Sequence, residues 1–118
     1  MKAILTGVMS RLPGALGVAV VGPDGIQVES ASSATGIVNM EWAAAEGMDL
    51  VRRAGTPAPD GQGGPLEEIT IAARDRLTVL RSVGAGYFLC LVTGPGTNPG
   101  QARYEAWRTG LQVREMLG

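Results

Sequence analysis

The residues best placed for chemistry follow the apolar run 87–93. They are Gly94, Gly96 and then Asn98-Pro99-Gly100-Gln101-Ala102-Arg103-Tyr104-Glu105. A buried strand, a glycine-rich turn and a helix, in that order, are the parts of a phosphate-binding loop, whose backbone N–H groups cradle an anion at the helix N-terminus. The spacing here does not fit. Gly94, Gly96 and Gly100 do not make G-x-G-x-x-G, and no Lys-Ser or Lys-Thr follows. Arg103 is the one side chain of the segment that could reach a phosphate, in the manner of an arginine finger. The plainer reading is a structural Arg bonded to nearby carbonyls or to a carboxylate.

The rest of the chain offers no catalytic set. There is no histidine, which removes the commonest general base and the commonest metal ligand. Cys90 is the single cysteine and lies inside an apolar strand pattern; it reads as a small core residue, and no intrachain disulfide is possible. Asp24 and Asp75 sit in turns. Glu41, Glu46 and Asp49 read as a solvated helix face. Glu67 and Glu68 are neighbours at a strand start, so their side chains point to opposite faces. Ser30, Ser32 and Ser33 have neither a histidine nor a Ser-x-x-Lys spacing and read as turn and cap residues. No catalytic residue, cofactor or metal site is expected, and the chain reads as a protein-binding platform rather than an enzyme.

The elements that would position these residues follow from composition and period. With 118 residues and 45% apolar content, one domain spanning 1–118 and one core are expected. Aromatics are only 4% and glycines number 18, so small and aliphatic side chains must fill the core between closely approaching elements. The net charge of −1 is spread along the chain, without the basic footprint of a nucleic-acid binder. The first residues lack a signal-peptide core, and no run is long enough to span a bilayer. A cytoplasmic protein that does not insert into membranes is expected.

Residues 3–12 have helical spacing and stop at Pro13-Gly14. Residues 16–21 and 26–30 read as a hairpin around Pro23-Asp24-Gly25: Pro presets φ, Asp bonds its own backbone and Gly permits positive φ. The alternation Ile26, Gln27, Val28, Glu29 makes one face of the second strand polar. Ser32, Ser33 or Thr35 is expected to cap a helix running to about residue 54. Its stripe Ile37, Met40, Ala44, Met48 and Val51 should face the sheet. Val38, Trp42 and Ala45 fall on another side, among Glu46, Asp49 and Arg53. A Trp there is either a rim residue or an interface residue, and the second reading is preferred because Trp is enriched in hot spots.

Residues 54–65 are too rich in Pro and Gly for regular structure and read as a mobile surface loop. Strands are expected at 66–72, 76–83 and 87–93, the last apolar on both faces as a central strand should be. The final helix, 101–117, carries a narrow stripe of Ala102, Ala106, Gly110, Val113 and Leu117 and a second stripe of Tyr104, Trp107 and Leu111. The fold class is α/β (α+β), with a single five-stranded antiparallel sheet in the order α-β-β-α-β-β-β-α.

Three segments carry a resemblance: Leu12-Pro13-Gly14-Ala15-Leu16-Gly17-Val18-Ala19-Val20-Val21-Gly22-Pro23-Asp24-Gly25, Tyr87-Phe88-Leu89-Cys90-Leu91-Val92 and Asn98-Pro99-Gly100-Gln101-Ala102-Arg103-Tyr104. In this order the chain resembles the roadblock/dynein light chain family, of the roadblock, longin and profilin-like sandwiches. The positions that match its motifs are Pro13, Gly14, Asp24, Gly25, Asn98, Gly100, Ala102 and Arg103. The short first helix and the long 54–65 loop depart from the pattern.

The resemblance implies a homodimer, or a pair with a related roadblock chain, formed by third strands joining edge to edge and second helices packing together. Here those surfaces carry Val38, Trp42, Ala45, Asp49, Leu66, Glu68, Ile69, Thr70 and Ile71. It also implies a small Ras-like GTPase as partner, as for the bacterial MglB-like type, which activates its GTPase without donating a catalytic residue. Arg52, Arg53, Arg74 and Arg76 are the exposed basic candidates for that contact. High Ala, Gly and Arg with little Lys fits a GC-rich prokaryotic genome. The other readings are a structural adaptor of a motor or signalling complex and a small-ligand sensor.

Overall fold

The computed structural model describes residues 1–34, 37–55 and 62–118. Its elements are α1 (Lys2–Arg11), β1 (Ala15–Val21), β2 (Gln27–Ser32), α2 (Met40–Ala54), β3 (Glu68–Ala72), β4 (Leu77–Gly84), β5 (Tyr87–Thr93) and α3 (Pro99–Leu117). The strands form one antiparallel sheet in the spatial order β2-β1-β5-β4-β3. The expected α-β-β-α-β-β-β-α order and five-stranded sheet are therefore present.

Strand alternation sorts the apolar residues into two cores. Val18, Val20, Val79, Leu89 and Leu91 point to one face, where they meet Leu5 and Val8 of α1, Leu12 at its exit, and Ala102, Ala106 and Val113 of α3. Ala19, Val21, Leu80, Phe88, Cys90 and Val92 point to the other, against Met40, Ala44, Met48 and Val51 of α2. β1 and β5 are central and lose water on both sides, which is why they are apolar throughout. Each fully buried Leu or Val removes enough apolar surface to contribute about 1.5–3 kcal/mol. The result is three layers, with α1 and α3 on one side of the sheet and α2 on the other.

Two glycines face the sheet from the helices, and only one of them is needed for the close packing. A Cβ at Gly47 would lie 2.7 Å from Leu80 Cδ2, so a side chain there would fit only if the buried Leu80 moved. A Cβ at Gly110 would lie 3.5 Å from both Arg81 Cγ and Val83 Cγ1, which is ordinary contact. The small stripe of α3 does face the sheet, with Leu117 only partly buried.

Three expectations are corrected. α2 begins at Met40, and its cap is Asn39, whose Oδ1 accepts from Trp42 N at 3.0 Å. Ser32 instead belongs to β2, and Ser33 N donates to Leu16 O at 2.9 Å, extending the hairpin; Thr35 falls outside the described residues. A side-chain cap is effective only where the chain turns from extended to helical, and here the hairpin keeps the backbone extended past Ser32. Ile37 accordingly precedes the helix and is exposed instead of facing the sheet. Ile26, just ahead of β2, and Val28 within it are exposed rather than buried, because this edge strand lies at the margin of both helical layers. Of the 54–65 loop, residues 56–61 lie outside the described residues.

Candidate partner-binding surfaces

The recognised motif positions are structural joints. Gly14 holds φ at 85°, and a Cβ there would stand 2.2 Å from Thr97 Oγ1. Around it, Thr97 Oγ1 donates to Pro13 O at 2.9 Å and Gly94 N donates to Gly14 O at 2.8 Å. The loop before β1 is thus tied to the loop after β5. Asp24 Oδ1 accepts from Ile26 N at 3.0 Å while Gly25, at φ 83°, completes the turn. Asn98 caps α3, its Oδ1 accepting from Gln101 N at 3.1 Å, with Pro99 in the first turn. Gly100 is exposed in that turn and Ala102 is buried under it.

Arg103 has the plainer of its two expected roles. Its Nε donates to Glu68 Oε2 at 2.7 Å. Glu68 also lies 3.7 Å from Arg81 and accepts from Thr70 Oγ1 at 3.1 Å. Glu68 therefore turns toward the α3 side of the edge strand, where it ties β3 to α3 and β4.

The other expected surface residues divide by layer. Trp42 is 63% exposed on α2, and Ala45 and Asp49 lie exposed on the same helix. Val38, just ahead of α2, packs partly into the α2-side core, as do Leu66 and Ile69. Thr70 and Ile71 are exposed on β3. β3 pairs with β4 alone, so its outer row of N–H and C=O groups has no strand partner among the described residues. An aromatic side chain and an open strand edge are thereby presented near a shared α2-side core.

The four candidate arginines form two groups. Arg52 and Arg53 occupy the last turn of α2, where Arg52 pairs with Asp49 at 2.8 Å. Arg76 donates to Ile37 O at 3.1 Å, close to the start of α2, and Arg74 is exposed in the adjoining β3–β4 turn. The two ends of α2 are roughly 20 Å apart at 1.5 Å per residue, so the arginines do not converge on one point.

Sequence reasoning missed Glu105. It is only 6% exposed, and its Oε2 accepts from Arg11 Nη2 at 3.1 Å, joining α1 to α3. Its place beside Ala102, Ala106 and Thr109 on a helical wheel was the available signal. Cys90 is buried, and desolvation pushes its thiol up from 9.0 to about 12, which makes it inert rather than nucleophilic. An open cavity of about 470 Å³ lies between the end of α2 and the β4–β5 turn, lined among others by Val51, Leu66, Ser82, Phe88 and Arg114. Among the described residues no group of His, Cys, Asp and Glu is arranged to hold a metal ion, and no helix is long and apolar enough to cross a membrane.

The architecture matches solved structures over nearly the whole chain. A Roadblock/LC7 domain from Streptomyces avermitilis superposes with a TM-score of 0.84 at 18% identity, covering 99% of this chain and 97% of that one. The chain has the Roadblock/LC7 fold. MglB of Myxococcus xanthus gives a TM-score of 0.83 at 16% identity, over 98% of this chain and 93% of that one. MglC of the same organism gives 0.71 at 28% identity, over 98% and 97%. These are the family and the bacterial type that the sequence resembles. No protein-family model matches the chain, and no curated protein matches it.

Proposed function

We propose that this chain is a dimeric platform, without catalytic residues of its own, that binds a small Ras-like GTPase and regulates its nucleotide cycle. The observation that carries the reading is Trp42, 63% exposed on the side of the sheet where Ile69 and Leu66 lead to the unpaired edge of β3. An exposed Trp beside an open strand edge is what a partner covers. Two β3 edges pairing antiparallel about a two-fold axis normal to the sheet give one continuous sheet. Both α2 helices then lie on one face and both α3 helices on the other. The likeness to MglB and MglC supports a regulator of this type.

Arg52, Arg53, Arg74 and Arg76 then act as docking residues at the two ends of α2. Regulation comes from holding the switch segments of the GTPase, not from a charge supplied to the transition state. The test is single-turnover GTP hydrolysis and nucleotide exchange by a candidate GTPase, with and without the chain. Each Arg→Ala variant should lose no more than about tenfold, the effect of a docking contact of ~1 kcal/mol. A thousandfold fall at one arginine, with binding intact, would make the chain a direct catalytic contributor. No change in either rate and no complex would remove the GTPase from the reading and leave the structural adaptor. The cavity near Arg114 favours the small-ligand sensor as a second reading, and saturable binding of a small acid there would establish it.

A further inference from the structure

The sheet has two outer edges, and they are not alike. β2 and β3 each pair with one neighbour, so each carries a row of backbone N–H and C=O groups that point away from the sheet. In an antiparallel ladder these outward groups belong to every second residue. On β3 the ladder bonds include Ser82 N to Glu67 O and Ala73 N to Arg76 O. The register between them is unbroken, so Glu68, Thr70 and Ala72 turn their backbone groups outward at a regular spacing. Among the described residues no hydrogen bond reaches those groups.

β2 differs in two respects. Ser33 N donates to Leu16 O, and the register Val18↔Ala31, Ala19↔Ser30 then turns the backbone groups of Ser30 and Ser32 outward. Val28 is an extra residue in the register between Val20↔Glu29 and Val21↔Gln27. This bulge puts Ser30 and Ser32 out of step with Gln27, the outward residue on its other side. The second difference is at Ser30, where both outward groups are occupied from within the chain. Glu29 Oε1 accepts from Ser30 N at 3.2 Å, and Lys2 Nζ of α1 donates to Ser30 O. The two side chains also face each other, with Lys2 Nζ 3.9 Å from Glu29 Oε1.

We propose that Lys2 and Glu29 are a lock on the β2 edge: with the Val28 bulge they keep β2 from accepting a strand and confine edge-to-edge association of this chain to β3. A strand pairing with β2 would need the N–H and C=O of Ser30 for its own bonds. It must first displace a carboxylate from one and an ammonium from the other, and both charged groups then lose those partners. The edge has reason to be closed, because Ile26 and Val28 are 67% and 50% exposed beside it, and an open edge with apolar side chains is a template for another chain. The lock also sets the form of any assembly. One free edge that pairs with its own kind closes at two chains, whereas free edges on both sides of the sheet let association continue. The inference stands on β2 alone and does not need the β3 pairing proposed above.

The test is sedimentation velocity of the wild type and of the Lys2→Ala/Glu29→Ala double variant over a range of concentrations. The wild type is expected to reach a limiting size and hold it as concentration rises. The double variant is expected to pass that size, associating through β2 about tenfold more tightly, the effect of freeing a backbone group from a charged partner. Ser30→Pro, added to the double variant, should restore the wild-type size, because it removes the outward N–H and leaves the bonds to β1 in place. If that variant melts, amide exchange over residues 27–32 replaces it: protection there must rise with concentration in the double variant, and constant protection is the contrary result.

A double variant that keeps the wild-type size at high concentration would overturn the proposal. So would growth that survives Ser30→Pro, because another surface would then carry it. A wild type that itself keeps growing until Ser30→Pro stops it would show that the lock does not hold. A wild-type monomer whose double variant dimerises sinks the dimeric platform and not this inference. A wild-type dimer whose double variant stays a dimer does the reverse.

Discussion

Arg103 Nε stands 2.7 Å from Glu68 Oε2, joining the fifth residue of α3 to the first residue of β3. The contact holds the edge strand of the sheet to a helix that otherwise packs on its neighbour β4. Arg103 is exposed while Glu68 is largely covered, and Arg81 shares the same carboxylate. The two partners therefore carry unequal weight. Arg103→Ala leaves Glu68 with Arg81, and its expected loss is under about 1 kcal/mol, as for an exposed pair. Glu68→Ala takes a partner from both arginines, leaving Arg81 only Glu67 at 3.8 Å, and should cost more, about 1–2 kcal/mol. Urea unfolding of the two single variants and the double variant measures both; equal losses would contradict the shared-carboxylate arrangement.

The two helix glycines facing the sheet should respond in opposite directions to alanine. At Gly47 the added methyl meets the buried Leu80 at 2.7 Å, and overpacking of this kind costs about 1–3 kcal/mol. At Gly110 the methyl finds ordinary contacts at 3.5 Å, and the helix propensity of Ala should add up to about 1 kcal/mol. Thermal melts of Gly47→Ala and Gly110→Ala would settle it, and a gain at Gly47 would show that α2 can lift from the sheet freely.

Trp42→Glu tests the surface on which the proposed assembly depends. The wild-type chain should be dimeric at micromolar concentration, and the variant should dissociate with a loss of about 2 kcal/mol or more, as for a hot-spot residue. Sedimentation equilibrium reads both. A variant dimer as tight as the wild type would make Trp42 a rim residue.

Cys90 links stability to alkaline pH. Its folded thiol ionises only near 12, against an ordinary value of 9.0, because the anion would be desolvated. A raised folded-state value means that the contribution is complete below 9.0 and is lost as pH climbs from there toward about 12. In that window Cys90→Ala should flatten the decline of stability with pH. Below it, iodoacetamide should label Cys90 at the rate of global unfolding; rapid labelling of the native chain would mean that the β5 core opens locally.

What the sequence determined by itself is local or periodic. The 87–93 apolar run can only be a strand covered on both faces, and β5 is that strand. Pro23-Asp24-Gly25 states its turn in the residues themselves, whereas the Asn98 cap that starts α3 at Pro99 came from the structure. Order and period together carried the five-stranded sheet and three helices. The tertiary structure decided whatever depends on a neighbour distant in sequence. Asn39 rather than Ser32 caps α2, because hairpin hydrogen bonds hold the chain extended past Ser32. Glu68 turns toward Arg103 and Arg81, and Glu105 is buried against Arg11, because carboxylates enter a layer only where cations from other elements await them. Sequence spacing places a side chain on a face of its own element. Which element covers that face is set by packing between segments up to 94 positions apart, as for Arg11 and Glu105.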